Sequence, residues 1–367
     1  MRIGVLTSSR ADFGIYLPLL EAIKNDSYFE LKIIAFGTHL SDFHGKTIEH
    51  IYSAGFEVKY KIESILLTDS SESISTSIGL TVIKFASFWN EHKHKFDLVL
   101  CLGDRFEMFG AVSAGIAFNI PFAHIHGGET TLGAIDNIFR HSISLASKYH
   151  FVSTEYYVDR IKELTLTSEN IYNTGALGLD NIGKIDLLTI DEFYKKWGVD
   201  LKIPTILITF HPETVAYNKN ERYASELVNA INSLTTYQVL ITMPNADTAG
   251  NIIRKAFVKN FSTNSRVFLV ENLGTQSYFT AMKYCSFLMG NTSSGIIEAA
   301  SFNKSVINLG DRQKGRIAGD NVLQTKIEVE AIYNAVHQIE MSSAIVAHNP
   351  YWNGGATKAI INILKRL

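Results

Sequence analysis

The sequence predicts an α/β protein built from two Rossmann-like halves. Three observations predict it. Apolar runs of four to seven residues alternate with longer helical patterns. The runs are continuously apolar rather than alternating, which marks strands buried on both faces of a sheet. The alternation also starts twice, once at the first residues and again near residue 203. A βαβα rhythm of this kind builds a parallel sheet with helices on both sides.

In the first half, RIGVLTS is a strand and LPLLEAIKN a helix; LKIIAFG is the next strand, with a helix near 44–54. LLTDSSESISTS (66–77) is Ser-rich and reads as an exposed loop and helix start. DLVLCLGD is a strand ending in Gly-Asp, followed by a helix from Glu107 to Phe118. IPFAHIHGG is a strand closed by two glycines, with a helix near 136–147 beyond it. A more polar stretch near 175–203 separates the halves. The second half runs through IPTILITFHPET, a helix at 221–234, YQVLITMPNAD, a helix near 248–259, RVFLVENLG, a helix near 276–284, FLMGNTSSGIIEAAS and SVINLGDRQKGR. NPYWNGGATKAIINILKRL ends in a helix after Gly-Gly.

Composition bounds the function. With 367 residues, 46% of them hydrophobic, the chain has material for two cores. A net charge of −2 gives no general attraction for nucleic acid or anionic membrane. No apolar run approaches a membrane span, and the first residues read as a strand rather than a signal peptide. Cys101 and Cys285 both sit in apolar runs, as buried thiols of a reducing cytoplasm do. There is no GxGxxG after the first strand and no GxxxxGK[ST], against a dinucleotide oxidoreductase or a P-loop ATPase.

In open parallel sheets, ligands bind at the carboxyl ends of strands. Those ends read TSSR (7–10), GDR (103–105), HGGE (126–129), HPE (211–213), PNAD (244–247), GNTSS (290–294) and GDRQKGR (310–316). Arg10, Arg105, Arg312 and Arg316 each follow a strand end, and guanidinium suits phosphate. In GNTSSGIIEAA, backbone N–H groups and the hydroxyls of Thr292, Ser293 and Ser294 form an anion cradle at a helix start; a well-capped helix has the same letters. Glu298, about one turn into that helix, is placed to take a ribose diol. His211 is either a phosphate donor or a cap. HIHGGE has three readings: a metal triplet, a structural histidine with its turn, or acid–base machinery. Residues two apart on a strand face one way, so His124 and His126 are expected to point together, with Glu129 beyond the turn. No third histidine stands at a matching distance, and the βαβ context is foreign to barrels that hold such triplets. Acid–base chemistry with Asp104 and Asp136, whose elements end on this face, is favoured.

Taken together, TSSRADFG, LGDRFEMF, HIHGGETTLGAIDNIFRHSIS, FHPET, NADTAGNIIR, GNTSSGIIE and NLGDRQKGR resemble, in order, the hydrolysing UDP-N-acetylglucosamine 2-epimerases of bacterial sialic acid synthesis. The resemblance implies a glycosyltransferase-B-like fold, two Rossmann-like domains facing a cleft. The domains would be 1–175 and 176–349, with the helix of 350–367 packing back on the first. It implies that UDP-GlcNAc and water become N-acetylmannosamine and UDP, through 2-acetamidoglucal, with no metal or nicotinamide cofactor. Asp104, His126, Glu129 and Asp136 would carry proton transfer; Arg10, Arg105, His211, Asn245, Thr292, Ser293, Ser294, Glu298 and Arg312 would hold UDP-sugar. Dimers or tetramers are implied as well. Some relatives read HIEGGE, with glutamate where His126 stands; either His126 takes over that proton transfer or Glu129 does. The rivals are the same reaction on UDP-2,4-diacetamido-2,4,6-trideoxyglucose and a glycosyltransferase of the same fold.

Overall fold

Strands form where the apolar runs are continuous, and among the described residues every strand pairing is parallel. The computed structural model describes residues 1–42, 45–68, 70–244, 250–342 and 346–367. The first series is β1 (Arg2–Thr7), α1 (Arg10–Lys24), β2 (Glu30–Phe36), α2 (Ile48–Ser53), β3 (Val58–Ile62), α3 (Ser71–His92), β4 (Leu98–Leu102), α4 (Phe106–Ile116), β5 (Phe122–Ile125), α5 (Asp136–Leu145), β6 (Tyr149–Val152), α6 (Glu155–Thr165) and β7 (Ile171–Asn173). The second is α7 (Ile190–Trp197), β8 (Thr205–Thr209), α8 (Asn220–Ser233), β9 (Gln238–Thr242), α9 (Gly250–Phe261), β10 (Val267–Val270), α10 (Gly274–Tyr284), β11 (Phe287–Gly290), α11 (Ser293–Ile297), β12 (Val306–Leu309), β13 (Val322–Thr325) and α12 (Val329–Met341); α13 (Ala356–Leu364) follows. The Ser-rich segment does open a helix: Ser70 caps α3 by accepting from Ser73 N at 3.1 Å.

The chain divides into two compact units. One comprises Met1–Glu129, Asp136–Gly183 and Tyr351–Leu367; the other comprises Thr130–Ile135 and Lys184–Pro350. The first sheet has the order β3-β2-β1-β4-β5-β6-β7 and the second β10-β9-β8-β11-β12-β13. Each sheet is covered on both faces. Neighbouring residues on β1 go to opposite cores, Val5 with Tyr16 and Leu20 of α1, Leu6 with Phe85 and Trp89 of α3. In the second unit Ile206 and Leu207 divide likewise. Ala356, Ile360 and Leu364 of α13 complete the first unit's core, and Asp180 caps that helix by accepting from Ala356 N and Thr357 N at 3.1 and 2.6 Å. Among the described residues no helix is long and apolar enough to cross a membrane.

Strand order fixes where chemistry gathers. Successive connections turn opposite ways between β1 and β4, and again between β8 and β11. The crevice beyond such a switch point is the usual ligand site of an open α/β sheet.

Candidate functional site

At the first switch point the loop after β1 is closed by its own side chain. Ser9 and Asp12 form a capping box on α1. The Asp12 carboxylate accepts from Ser8 N at 2.8 Å, Ser9 N at 3.0 Å and Thr7 Oγ1 at 2.7 Å, and lies 3.8 Å from His39 Nε2. Burial alone would raise the Asp12 carboxyl, but nearby His39 and the hydrogen bonds of Thr7 and Ser8 outweigh it and hold it below the ordinary value. A carboxylate of the chain therefore fills the helix end where a dinucleotide phosphate would sit. Arg10, the first residue of α1, is half-buried beside it.

On the other side of the switch point, β4 ends in Gly103, Asp104 and Arg105. His124 of β5 braces this turn, with Nε2 2.8 Å from Gly103 O and Nδ1 2.9 Å from the Ser144 hydroxyl. Burial pushes the His124 imidazole down to about 3, so it is a neutral strut. Arg105 is turned to buried Glu107, donating through Nε at 3.1 Å and Nη2 at 2.8 Å.

His126 departs from the expected pairing with His124. It lies just past β5 in a left-handed backbone, φ 63°, so strand alternation no longer governs it. Gly127 and Gly128 follow for separate reasons. A Cβ on Gly127 would come within 2.9 Å of His124 Nδ1, and Gly128 has φ +77°. The turn returns Glu129 onto its neighbour, with His126 Nδ1 and Glu129 Oε1 2.6 Å apart. Ser153, beyond β6, donates to the same Oε1 at 2.8 Å. In the neutral ring the accepting carboxylate places the proton on Nδ1 and leaves Nε2 as an acceptor. That Nε2 is buried and has no hydrogen-bond partner.

Arg140 of α5 ties the cluster together. Its Nη1 donates to His126 O at 2.7 Å and lies 3.7 Å from Glu129 Oε2, and its Nη2 is ion-paired with Asp104. Asp136 opens the same helix, half-buried. The structure thus brings Asp104, His126 and Glu129 together around an arginine that motif reading passed over. A signal existed: Arg140 shares the helix face of buried Ile143 and Ser144, where an unpaired guanidinium is not tolerated. Among the described residues no group of three or more His, Cys, Asp or Glu is arranged to hold a metal ion.

At the second switch point, β11 ends in Gly290, whose Cβ would lie 2.0 Å from Thr209 O. The two strands therefore part at backbone contact. Asn291 follows and locks the loop after β8, accepting from His211 N at 2.7 Å and donating to His211 O at 2.8 Å. Thr292 caps α11, its hydroxyl accepting from Ser294 N at 3.4 Å. Ser293 is exposed and Ser294 half-buried. The helix has only five residues and Glu298 is its C-cap, not an interior position. Its dipole is correspondingly weak, so N–H groups and hydroxyls carry most of any anion binding there. Arg312 donates to Pro212 O at 2.8 Å and so ties the loops after β12 and β8. Glu213, also unforeseen, accepts from Asp311 N at 2.6 Å; burial raises its carboxyl. Asn245 lies outside the described residues.

Comparison with known proteins places this geometry in a family. The family model for UDP-N-acetylglucosamine 2-epimerase matches residues 21–365. Polysialic acid biosynthesis protein P7 of Escherichia coli is 33% identical over 99% of this chain and 93% of its own length. The GDP/UDP-N,N'-diacetylbacillosamine 2-epimerase (hydrolyzing) of Campylobacter jejuni is 35% identical over 89% and 84%. The crystal structure of UDP-GlcNAc 2-epimerase from Neisseria meningitidis bound to UDP-GlcNAc superposes with a TM-score of 0.84 at 19% identity over 100% of both chains. The fold is thus the expected two-domain, glycosyltransferase-B-like one. The chain belongs to the UDP-N-acetylglucosamine 2-epimerase family.

Proposed function

We propose that this protein is a hydrolysing 2-epimerase that converts UDP-N-acetylglucosamine and water to N-acetylmannosamine and UDP for sialic acid synthesis. In the first step a base removes the C2 proton and the C1–O electron pair leaves with UDP, giving 2-acetamidoglucal. In the second, water oxygen bonds to C1, the proton it sheds goes to an enzyme base, and C2 takes a proton on the opposite face. The observation that carries this reading is the buried, unpartnered Nε2 of His126. Its Nδ1 is held by Glu129 at 2.6 Å, so the ring is oriented and electrostatically ready to take or return a proton. Glu129 positions it. Asp104 and Asp136 supply the other proton-transfer groups, and Arg140 keeps Asp104 in place. Two transfers on opposite faces require two such groups.

The departing diphosphate needs cations and donors, one of which typically contributes about 3–4 kcal/mol in a closed site. Arg10, His211, Ser293, Ser294 and Arg312 fill that role, with Thr292, Asn245 and Glu298 as further UDP-binding residues. Arg105, turned to Glu107, stabilises its own loop. Two buried free thiols and a nucleotide-sugar substrate fit a cytoplasmic enzyme.

A second reading keeps the chemistry and changes the sugar. The Campylobacter jejuni relative is named for GDP/UDP-N,N'-diacetylbacillosamine, the 2,4-diacetamido-2,4,6-trideoxy sugar. Incubation with each UDP-sugar in heavy water, followed by NMR, tests both. UDP with a C2-deuterated 2-epimer supports the reaction, and the larger kcat/KM names the substrate. UDP with the unlabelled, uninverted sugar would mean simple hydrolysis and refute it.

A further inference from the structure

The loop after β12 carries a second buried atom that lacks a partner. Gln313 is 7% exposed. Its Nε2 donates to Asn291 O at 2.8 Å, the residue that locks His211 and precedes the hydroxyls of Thr292–Ser294. This bond fixes which way the amide points. The other end, Oε1, is buried with no hydrogen-bond partner. Leaving such an acceptor unmet costs about 1–3 kcal/mol. An oxygen of this kind cannot serve a phosphate, which is itself an acceptor. It calls for an O–H or N–H on an uncharged part of the ligand.

A nucleotide sugar has two uncharged parts, and the surroundings of the loop choose between them. The segment Thr130–Ile135 belongs to the same unit and lies along this loop. Leu132 N donates to Lys314 O at 3.0 Å. A Cβ on Gly133 would come 2.4 Å from Asp311 O, and one on Gly315 2.8 Å from Thr130 Cγ2. Ile135 N also donates to Thr214 Oγ1 at 2.9 Å. Backbone therefore packs on backbone, and the two chain neighbours of this segment are Glu129 and Asp136, groups of the proton chemistry. The Gln313 loop is stitched to the segment that leads directly into the sugar-side residues.

We infer that Gln313 is a specificity-determining residue whose Oε1 accepts a hydrogen bond from a hydroxyl or the acetamido N–H of the sugar. This rests on the reading of the site as that of a UDP-sugar enzyme. The test pairs Gln313→Met with analogues of whichever UDP-sugar the wild-type protein turns over, each lacking one ring hydroxyl or carrying an ester in place of the amide. UDP binding by calorimetry is measured alongside. A neutral hydrogen bond contributes about 0.5–1.5 kcal/mol, so kcat/KM for the full substrate should fall roughly 2- to 13-fold while UDP affinity stays within twofold. One analogue, lacking the matching donor, should lose nothing further in the variant. In the wild-type protein the analogue lacking the matching donor should itself fall roughly 2- to 13-fold, which covers a Gln313→Met protein that does not fold; a wild type indifferent to every analogue would overturn the inference. An equal loss of UDP affinity would assign Gln313 to the nucleoside and overturn the inference, as would additive losses with every analogue. A wild-type protein that binds UDP but turns over neither sugar would refute the functional reading itself.

Discussion

Glu129→Gln separates the two members of the His126–Glu129 pair. The amide keeps the shape and leaves an oxygen to accept from His126 Nδ1 and from Ser153, contacts of 2.6 and 2.8 Å in the native protein. What is lost is the charge, and with it the 3.7 Å ion pair of Oε2 with Arg140 Nη1. A hydrogen bond to a charged group contributes about 1.5–3 kcal/mol against about 0.5–1.5 for a neutral one, a loss of roughly 1–2 kcal/mol. When Nε2 takes the substrate proton the ring becomes a cation, and its attraction to a carboxylate about 4 Å away is about 4 kcal/mol at an effective dielectric of 20. Both figures describe the loss of the same charge, so they bound the effect on the barrier at roughly 1–4 kcal/mol, or about 5- to 900-fold in kcat. Steady-state UDP release is the assay. His126→Asn should be at least as impaired. A Glu129→Gln protein within threefold of wild type would refute the assignment. So would a dead Glu129→Gln beside an active His126→Asn, which would make Glu129 the group that moves the proton.

Further outcomes follow from other parts of the molecule. Asp104→Asn should lose most of the turnover while binding UDP as wild type does; unchanged turnover removes Asp104 from the mechanism. His124 and His150 are pushed down by burial, to about 3 and about 4, so both are neutral when folded and protonated when unfolded below about pH 6.5. The unfolded state then binds more protons as pH falls, and stability should drop by up to about 1.4 kcal/mol per pH unit for each ring, levelling off below its folded value. Urea midpoints at pH 7 and 5 read this, and equal midpoints would contradict it. Gly290→Ala places a Cβ 2.0 Å from Thr209 O at φ +142° and should cost more than about 3 kcal/mol; a wild-type melting temperature would show that the β8–β11 contact yields.

Much of the fold was legible because its signals are local and redundant. LVLCL is apolar throughout, so burial on both faces shows in the letters, and the helices after β4, β8 and β10 begin within two residues of their expected starts. The amphipathic edge was harder to read. Strand β3 is VKYKI, with four of its five residues partly or fully exposed, and such an edge carries little apolar signal. The site divided along the same line. Strand ends located Asp104, His126 and His211, since topology alone puts polar residues there. Side-chain direction did not follow. Alternation failed at His126 because one residue beyond the strand adopts φ 63°. Arg140 and Gln313 act through partners distant in sequence, Asp104 and Asn291, and no spacing rule records a pairing of that kind.

The path of the chain has a consequence for biogenesis. The first unit needs Ile360 and Leu364 of α13 in its core, yet 167 residues of the second unit, Lys184 to Pro350, are synthesised in between. At roughly 5–20 residues per second, the nascent first sheet waits about 8–33 s at the ribosome with an apolar face uncovered. The later-made unit can close first. Slowing translation across residues 184–350 should therefore lengthen the exposure of this chain to holding chaperones, while a circular permutant that begins at α13 should shorten it.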